Sequence, residues 1–412
     1  MGAPTVGPQA AQRAEVPCPI VKVTPPGPVP APSPVPIRDR SRPAIGGVGL
    51  ATRGLAVPEG STPPPGNLSA PSWVVADLDT GAVIGACGPH EYGAPASVQK
   101  LLLAATVMPK LNPADTVTIT QEDLNFEPGS SAVGLILGGK YPVETIWLGL
   151  MLNSGNDAAN TLARLGGGDR GVPGTLADMN AEAKHLGAYD THAATPSGLD
   201  GPGQVTSAYD LALIARACFA REDFRKYVGS RTAQMPPEPP KAPKGYQIQN
   251  DNRLLFEYPG AMGGKTGFTD LARHTFVGAA ERDGRRLVVT ILGAEQQPVR
   301  TWQQGAALLN WGFAVPKAST VGMLVKPGEA DKPAIDPAAA AAAGPSAVPV
   351  AGPAALGTPI SRTAVIVGVG AAAAVFIAVW LAVALAFRRR RVRRRTLAPT
   401  RSSTVGASDF GR

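Results

Sequence analysis

Pro95-Ala96-Ser97-Val98-Gln99-Lys100-Leu101-Leu102-Leu103 is where this chain turns from strand-like to helical patterning. A proline followed by an apolar run over residues 98–107 predicts a helix with Ser97 in its first turn. Residues three apart share a helix face, so the Ser97 hydroxyl and the Lys100 amine fall within hydrogen-bond reach. Taken alone, the pair describes equally well a capping serine and a solvated lysine.

Two further motifs change that balance, Ser154-Gly155-Asn156 and Lys265-Thr266-Gly267. A single Ser-x-x-Lys or Ser-x-Asn arises by chance roughly once per 400 residues at average composition, so the weight lies in their joint order. A serine hydroxyl needs a neighbouring base to become a nucleophile. Lys100 serves as that base only with a lowered pKa, which burial and a second cation such as Lys265 both promote. A serine at a helix start also directs backbone N–H groups toward developing negative charge. Ser154 lies in a loop between two predicted helices, where it can relay a proton, and the Asn156 amide can orient Lys100 or accept a substrate N–H. Lys265 and Thr266 suit a carboxylate, and Gly267 clears space for a substrate at a strand edge.

Working outward, residues 73–79 and 82–85 flank Thr80-Gly81 as the arms of a β-hairpin. Helices are expected over 143–152, 157–165, 175–186 and 207–219. Strands are expected over 265–269, 275–280 and 286–292, with a closing helix over 299–311. The fold class this implies is mixed α/β, an antiparallel sheet flanked by helices with an inserted helical subdomain. Residues 1–68 read as a disordered, Pro-rich arm, 69–315 as the catalytic domain and 316–362 as an Ala/Pro-rich linker.

The motifs and their surroundings resemble the penicillin-binding protein and serine β-lactamase superfamily. Within it they resemble the serine D-alanyl-D-alanine carboxypeptidases, the low-molecular-mass penicillin-binding proteins. The likeness is carried by Asp77-Leu78-Asp79-Thr80-Gly81, Pro95-Ala96-Ser97, Ser154-Gly155-Asn156-Asp157-Ala158-Ala159, Met179-Asn180, Thr195-Pro196-Ser197-Gly198-Leu199, Asn250-Asp251-Asn252-Arg253-Leu254-Leu255 and Gly264-Lys265-Thr266-Gly267-Phe268-Thr269. The resemblance implies that Ser97 attacks the penultimate D-Ala carbonyl of peptidoglycan stem peptides, that Lys100 takes its proton and that Ser154 helps return it to the departing D-Ala. It further implies that Lys265 and Thr266 hold the terminal carboxylate and that the N–H groups of Ser97 and Phe268 form an oxyanion hole. β-Lactam antibiotics would acylate Ser97, and neither metal nor organic cofactor is implied. Many relatives have an arginine ahead of the last helix, and Arg300 lies near that place. A catalytically idle peptidoglycan-binding scaffold would not need the intact Ser97, Lys100, Asn156 and Lys265, whereas a D,D-endopeptidase or transpeptidase would share them. A class A β-lactamase would need a Glu-x-x-Leu-Asn segment beyond the second motif, and residues 190–200 contain none. His90, His185, His192 and His274 read as surface or packing residues.

The net charge of +8 does not mark a nucleic-acid surface, because nine arginines and one acid, Asp409, follow Phe387 and account for all of it. They follow an uncharged run over 363–387, about 37 Å long as a helix and long enough to cross a bilayer core of about 30 Å. That run is expected to be a single transmembrane helix, with residues 388–412 a basic cytoplasmic tail and the catalytic domain extracytoplasmic at a bacterial cell membrane. An external domain needs an export signal, and residues 1–40 lack a basic start followed by an apolar run, so the signal is expected upstream or already removed. Of the three cysteines, Cys218 sits in an apolar helical pattern as a reduced core residue, and Cys18 and Cys87 either pair or stay free.

Overall fold

The structure, a computed structural model, describes residues 15–31, 34 and 44–329. One short strand and a tight hairpin open the sheet, β1 (Leu55–Ala56), then β2 (Ser72–Asp77) with β3 (Ala82–Cys87). The turn after β2 closes because Asp77 Oδ1 accepts the amides of Asp79 at 3.0 Å and Thr80 at 2.9 Å. A 3-10 turn at Ala96–Gln99 feeds α1 (Lys100–Val107), and a helical insert follows. It comprises the hairpin β4 (Thr116–Thr118) and β5 (Lys140–Pro142), then α2 (Val143–Leu152), α3 (Asn156–Gly167), α4 (Gly171–His185), α5 (Ala208–Ala220) and α6 (Glu222–Val228). A second hairpin, β6 (Thr232–Met235) with β7 (Tyr246–Gln249), and the short α7 (Leu254–Glu257) lead back to the sheet. There β8 (Ala261–Thr269), β9 (Arg273–Arg282) and β10 (Arg285–Ala294) run antiparallel, followed by α8 (Thr301–Ala314) and β11 (Gly322–Met323).

The sheet has seven strands in the order β1-β3-β2-β10-β9-β8, with β11 also on β3. All of its named pairings are antiparallel, with registers such as Val75 opposite Val289 and Lys265 opposite Val277. Side chains alternate across a strand, and here the alternation divides two cores. Val74, Ala76, Val83, Val277 and Val288 face α1 and α5, while Trp73, Val75, Ile84, Phe276 and Val289 face Leu308, Leu309 and Trp311 of α8. The mixed α/β architecture with an antiparallel sheet and a helical insert is therefore the observed one. Both faces of the sheet are covered, and β8 is left as an edge.

The ends of the folded region differ from expectation. The extended arm expected up to residue 68 is interrupted, because Leu50, Ala56 and Leu68 are fully or nearly fully buried and β1 pairs with β3. Apolar residues scattered among prolines still find core positions when a sheet edge is there to receive them. At the other end the chain does not leave the domain near 315, since β11 adds to β3 and Leu324 is buried. The expected membrane span over 363–387 and the basic tail lie outside the described residues. Among the described residues no helix is long and apolar enough to cross a membrane.

Cys18 and Cys87 form a disulfide, and Cys218 is free and buried. The bridge pins the proline-rich segment to β3, and the Val21 amide donates to the Leu68 carbonyl at 2.7 Å just beyond it. Because 69 residues separate the two cysteines, the chain-entropy model assigns the link about 4 kcal/mol. Replacing both cysteines with serine is expected to lower the thermal midpoint by several degrees while leaving the far-ultraviolet circular dichroism unchanged. An unaltered midpoint would contradict the role given to this link.

Candidate active site

Ser97 sits in the 3-10 turn before α1 on a backbone with an uncommon bend, Ala96 at φ 47°. Such a residue is held by its surroundings. The turn is fixed from two sides: Thr275 Oγ1 on β9 donates to the Pro95 carbonyl at 2.8 Å, and Gly198 packs where any Cβ would run into the Ala96 carbonyl. The result is a serine that reaches the surface while Val98, Gln99 and Lys100 beside it are buried.

Lys100 is 0 % exposed, and its Nζ lies 2.8 Å from each of Ser97 Oγ, Asn156 Oδ1 and the Ser197 carbonyl oxygen. Burial, and then the Lys265 cation, press its pKa well below the ordinary lysine value against the pull of Asp157. A neutral amine has two N–H donors and one lone pair. Asn156 Oδ1 and the Ser197 carbonyl are acceptors only, so they take the N–H groups and leave the lone pair for the Ser97 O–H. The geometry thus matches an amine set to remove the hydroxyl proton.

Asn156 opens α3, and its amide is used at both ends, since Nδ2 donates to Ser130 Oγ at 2.9 Å. Of the two roles open to this residue, orienting Lys100 is the one the contacts match. Ser154 just before it has φ 61°, and its buried Oγ has no hydrogen-bond partner. An unsatisfied hydroxyl in the cleft that Ser97 also lines is available to a bound molecule. Asp157, for which the motif reading assigned no role, holds this corner together. Its carboxylate accepts the amides of Val133, Gly134 and Leu135 at 2.9, 2.8 and 3.0 Å, and so fixes the loop that carries Ser130 and Ser131.

Lys265, Thr266, Gly267 and Phe268 lie on the edge strand β8. Lys265 is 1 % exposed and sits beneath the surface, with its pKa lowered to about 8 by burial and partly restored by Asp251. Thr266, Gly267 and Phe268 form the wall above it. Lys265 thus lies behind the cleft wall, and Thr266 is the polar side chain of this motif that lines the cleft. A Cβ on Gly267 would land on Thr275 Oγ1 and 2.7 Å from Ser97 N, so the strand and the nucleophile turn meet there without room for a side chain. Gly267→Ala must push the two apart. A displacement near 1 Å costs about a hundredfold in rate. Steady-state assays should show that loss in kcat/KM with a nearly unchanged melting temperature, and full activity in the variant would contradict the close fit.

These groups line a cleft of about 1040 Å³ that also includes Asp200, Asp251, His274 and, at the start of α8, Arg300, Thr301 and Trp302. Arg300 is thus at the cleft rim. His274, read as a surface or packing residue, lines the cleft with its ring packed 4.5 Å from that of Phe268 and Nδ1 3.0 Å from Gln296 Nε2. Ser197, Ser130 and Asp251 were also without assigned roles. They belong to stretches that carry the resemblance or to an unremarkable loop, and only the fold brings them to the site.

Away from the cleft, His90, Asp190 and Asp210 bring ligand-type atoms within 4.8 Å of one another. His90 already spends both ring nitrogens, on Asp190 Oδ2 at 2.9 Å and the Ile45 carbonyl at 3.0 Å. The cluster ties the loop at Ile45 to α5, where burial raises the Asp210 pKa well above the carboxylate range.

Residues 59–296 match the family model described as D-alanyl-D-alanine carboxypeptidase, peptidase S11. The chain is 44 % identical over 272 residues to D-alanyl-D-alanine carboxypeptidase DacB2 of Mycobacterium tuberculosis, a match that covers 65 % of this chain and 90 % of that protein. It is 35 % identical over 261 residues to DacD of Salmonella typhimurium, covering 61 % of this chain and 64 % of the relative's length. Among solved structures, a D-alanyl-D-alanine carboxypeptidase from Mycobacterium tuberculosis is similar with a TM-score of 0.60 at 42 % identity, covering 65 % of this chain and 99 % of that one. A variant of a Streptomyces DD-transpeptidase is similar with a TM-score of 0.57 at 28 % identity, covering 60 % and 98 %.

Proposed function

The chain belongs to the D-alanyl-D-alanine carboxypeptidase family and is a serine-type carboxypeptidase, and from that premise we propose that it removes the terminal D-Ala from peptidoglycan stem pentapeptides through an acyl-enzyme on Ser97. The observation that carries the reading is the convergence of Ser97 Oγ, Asn156 Oδ1 and the Ser197 carbonyl on the buried Lys100 amine, each at 2.8 Å.

In this reading Lys100 Nζ accepts the Ser97 proton as Oγ bonds to the penultimate D-Ala carbonyl carbon. The oxyanion is assigned to the N–H groups of Ser97 and Phe268. Thr266 and Arg300 meet the terminal carboxylate at the cleft surface while Lys265 supplies positive charge from beneath. The proton passes from Lys100 by way of Ser154 to the amine of the leaving D-Ala as the C–N bond breaks. Water then attacks the ester carbonyl and gives its proton to Lys100, which passes it to Ser97 Oγ as the acyl C–O bond breaks, so that the shortened peptide leaves and both residues return to their starting state. β-Lactams would acylate the same hydroxyl.

The test is D-Ala release from a stem-pentapeptide analogue by the full chain, with mass spectrometry of the protein after exposure to a penicillin. Stoichiometric D-Ala and an adduct on Ser97 are the expected results. An adduct without released D-Ala in water, but with product when an amine acceptor is added, would instead favour the transpeptidase reading.

We also propose that the run over 363–387 and the arginines after it anchor the chain in a bacterial cell membrane, with the catalytic domain outside and the C-terminus in the cytoplasm. Retention in the membrane fraction after alkaline washing, and release only by detergent, are expected. Recovery in the wash would overturn the anchor.

A further inference from the structure

The proline-rich segment that follows the disulfide does not simply leave the domain. Cys18 is bonded to Cys87, Ile20 bridges Leu68 in parallel, and twelve residues after the disulfide Pro30 lines the same cleft as Ser97, Phe268 and Trp302. Between these points lie Pro25, Pro26 and Pro28. Such a stretch is stiff and extended, at about 3.1 Å per residue, and loses little entropy when it is held in place. Pro30 is the residue of this stretch that lines the cleft, and Phe268, 48 % exposed, is the aromatic side chain that lines it with Pro30 from β8.

Pro28 and Pro30 have no backbone N–H to donate to a strand. Among the described residues β8 pairs with β9 alone, so the segment lines the cleft without joining the strand.

Resting on the carboxypeptidase reading, we propose that residues 24–31 form an outer wall of the catalytic cleft that determines substrate breadth, admitting single unbranched peptide tails and restricting branched, cross-linked ones. The disulfide and the Leu68 bridge hold the base of this wall, and the prolines give it stiffness.

The experiment replaces Pro25, Pro26, Pro28 and Pro30 by alternating glycine and serine in the full chain, leaving Cys18, Ile20 and Val21 in place. kcat/KM is then measured for a linear pentapeptide and for a cross-linked peptide dimer bearing one free D-Ala-D-Ala end. The dimer-to-linear ratio is expected to rise about fivefold or more, with the linear rate changed less than twofold. Equal change in both substrates, or none, overturns the wall. If neither protein releases D-Ala from either substrate, it is the carboxypeptidase reading that has failed. The wall is then read from Pro30→Cys labelled with a fluorophore, a unique label site because Cys18 and Cys87 are paired and Cys218 is buried. Shielding of that dye from a soluble quencher, lost in the glycine-serine arm, supports the wall, and quenching as fast as in the unfolded chain overturns it.

Discussion

Ser97→Ala, Lys100→Met and the double variant are expected to release D-Ala at the same residual rate, about ten-thousandfold or more below the unaltered enzyme. The equality follows from how the two side chains are joined. The Lys100 amine has one lone pair, and Ser97 Oγ at 2.8 Å is the partner left to use it once Asn156 and Ser197 have taken the N–H groups. Without the hydroxyl the base has no proton to accept, and without the base the hydroxyl remains a weak nucleophile. Groups that act as one unit fail together, so the second substitution removes nothing further. Methionine suits position 100 because it fills a fully buried site with an unbranched apolar side chain. Single-turnover D-Ala release and the rate of penicillin adduct formation give the numbers. A double variant slower than either single one by the product of their effects would mean that the two residues contribute independently.

Lys265→Met should lower kcat/KM about a hundredfold to a thousandfold, the range found when a positioned electrostatic group is removed from a reaction site. The sharper expectation concerns pH. Burial sets the Lys265 pKa to about 8 in the free enzyme, so above pH 8 the ammonium loses its proton and the cleft loses a positive charge. kcat/KM, which reports the free enzyme, should therefore fall on an alkaline limb centred near pH 8. In the complex a bound carboxylate favours the charged form, so the limb in kcat moves upward. On the acid side Lys100 has to be neutral, and its depressed pKa keeps it so well below the usual lysine range. Lys265→Arg keeps a charge that does not titrate, so the alkaline limb should vanish even though the absolute rate is lower. A limb near pH 8 that persists in the arginine variant would assign it to another group.

How much of this was legible beforehand depended on the range over which each residue acts. The helix start at Ser97, the α2 boundaries and the hairpin around Thr80-Gly81 follow from periodicity and turn chemistry, both of which are local. The convergence on Lys100 was legible only in part. Asn156 was a candidate from its motif, whereas the Ser197 carbonyl is a backbone atom 97 positions away and leaves no mark in residue type. Asp157 was hidden for a related reason, since an acid in the first turn of a helix ordinarily reads as a dipole partner. Here it accepts amides from residues 133–135 instead. β1 and β11 were missed because two-residue strands have no period to detect, and their formation depends on β3 being there to pair with. Composition misjudged residues 44–68 because it averages over a segment in which a few buried apolar side chains decide the outcome.

The position of β8 at the end of the sheet has a consequence for the molecule as a solute. An enzyme that lays a peptide against a strand must keep that strand's outer side unpaired, and an unpaired strand is equally a template for another copy of itself. Covering the edge with a helix, the common protection, would close the reaction site. Here the hazard is contained in other ways: the register shifts between Ala261 and Gly263, so a flat partner strand cannot pair along the full length, and the buried cation of Lys265 opposes the approach of another cationic edge. The strand to which the proposed reading assigns the substrate is thus also an open pairing edge, so in that reading colloidal stability and catalysis draw on the same nine residues, Ala261–Thr269.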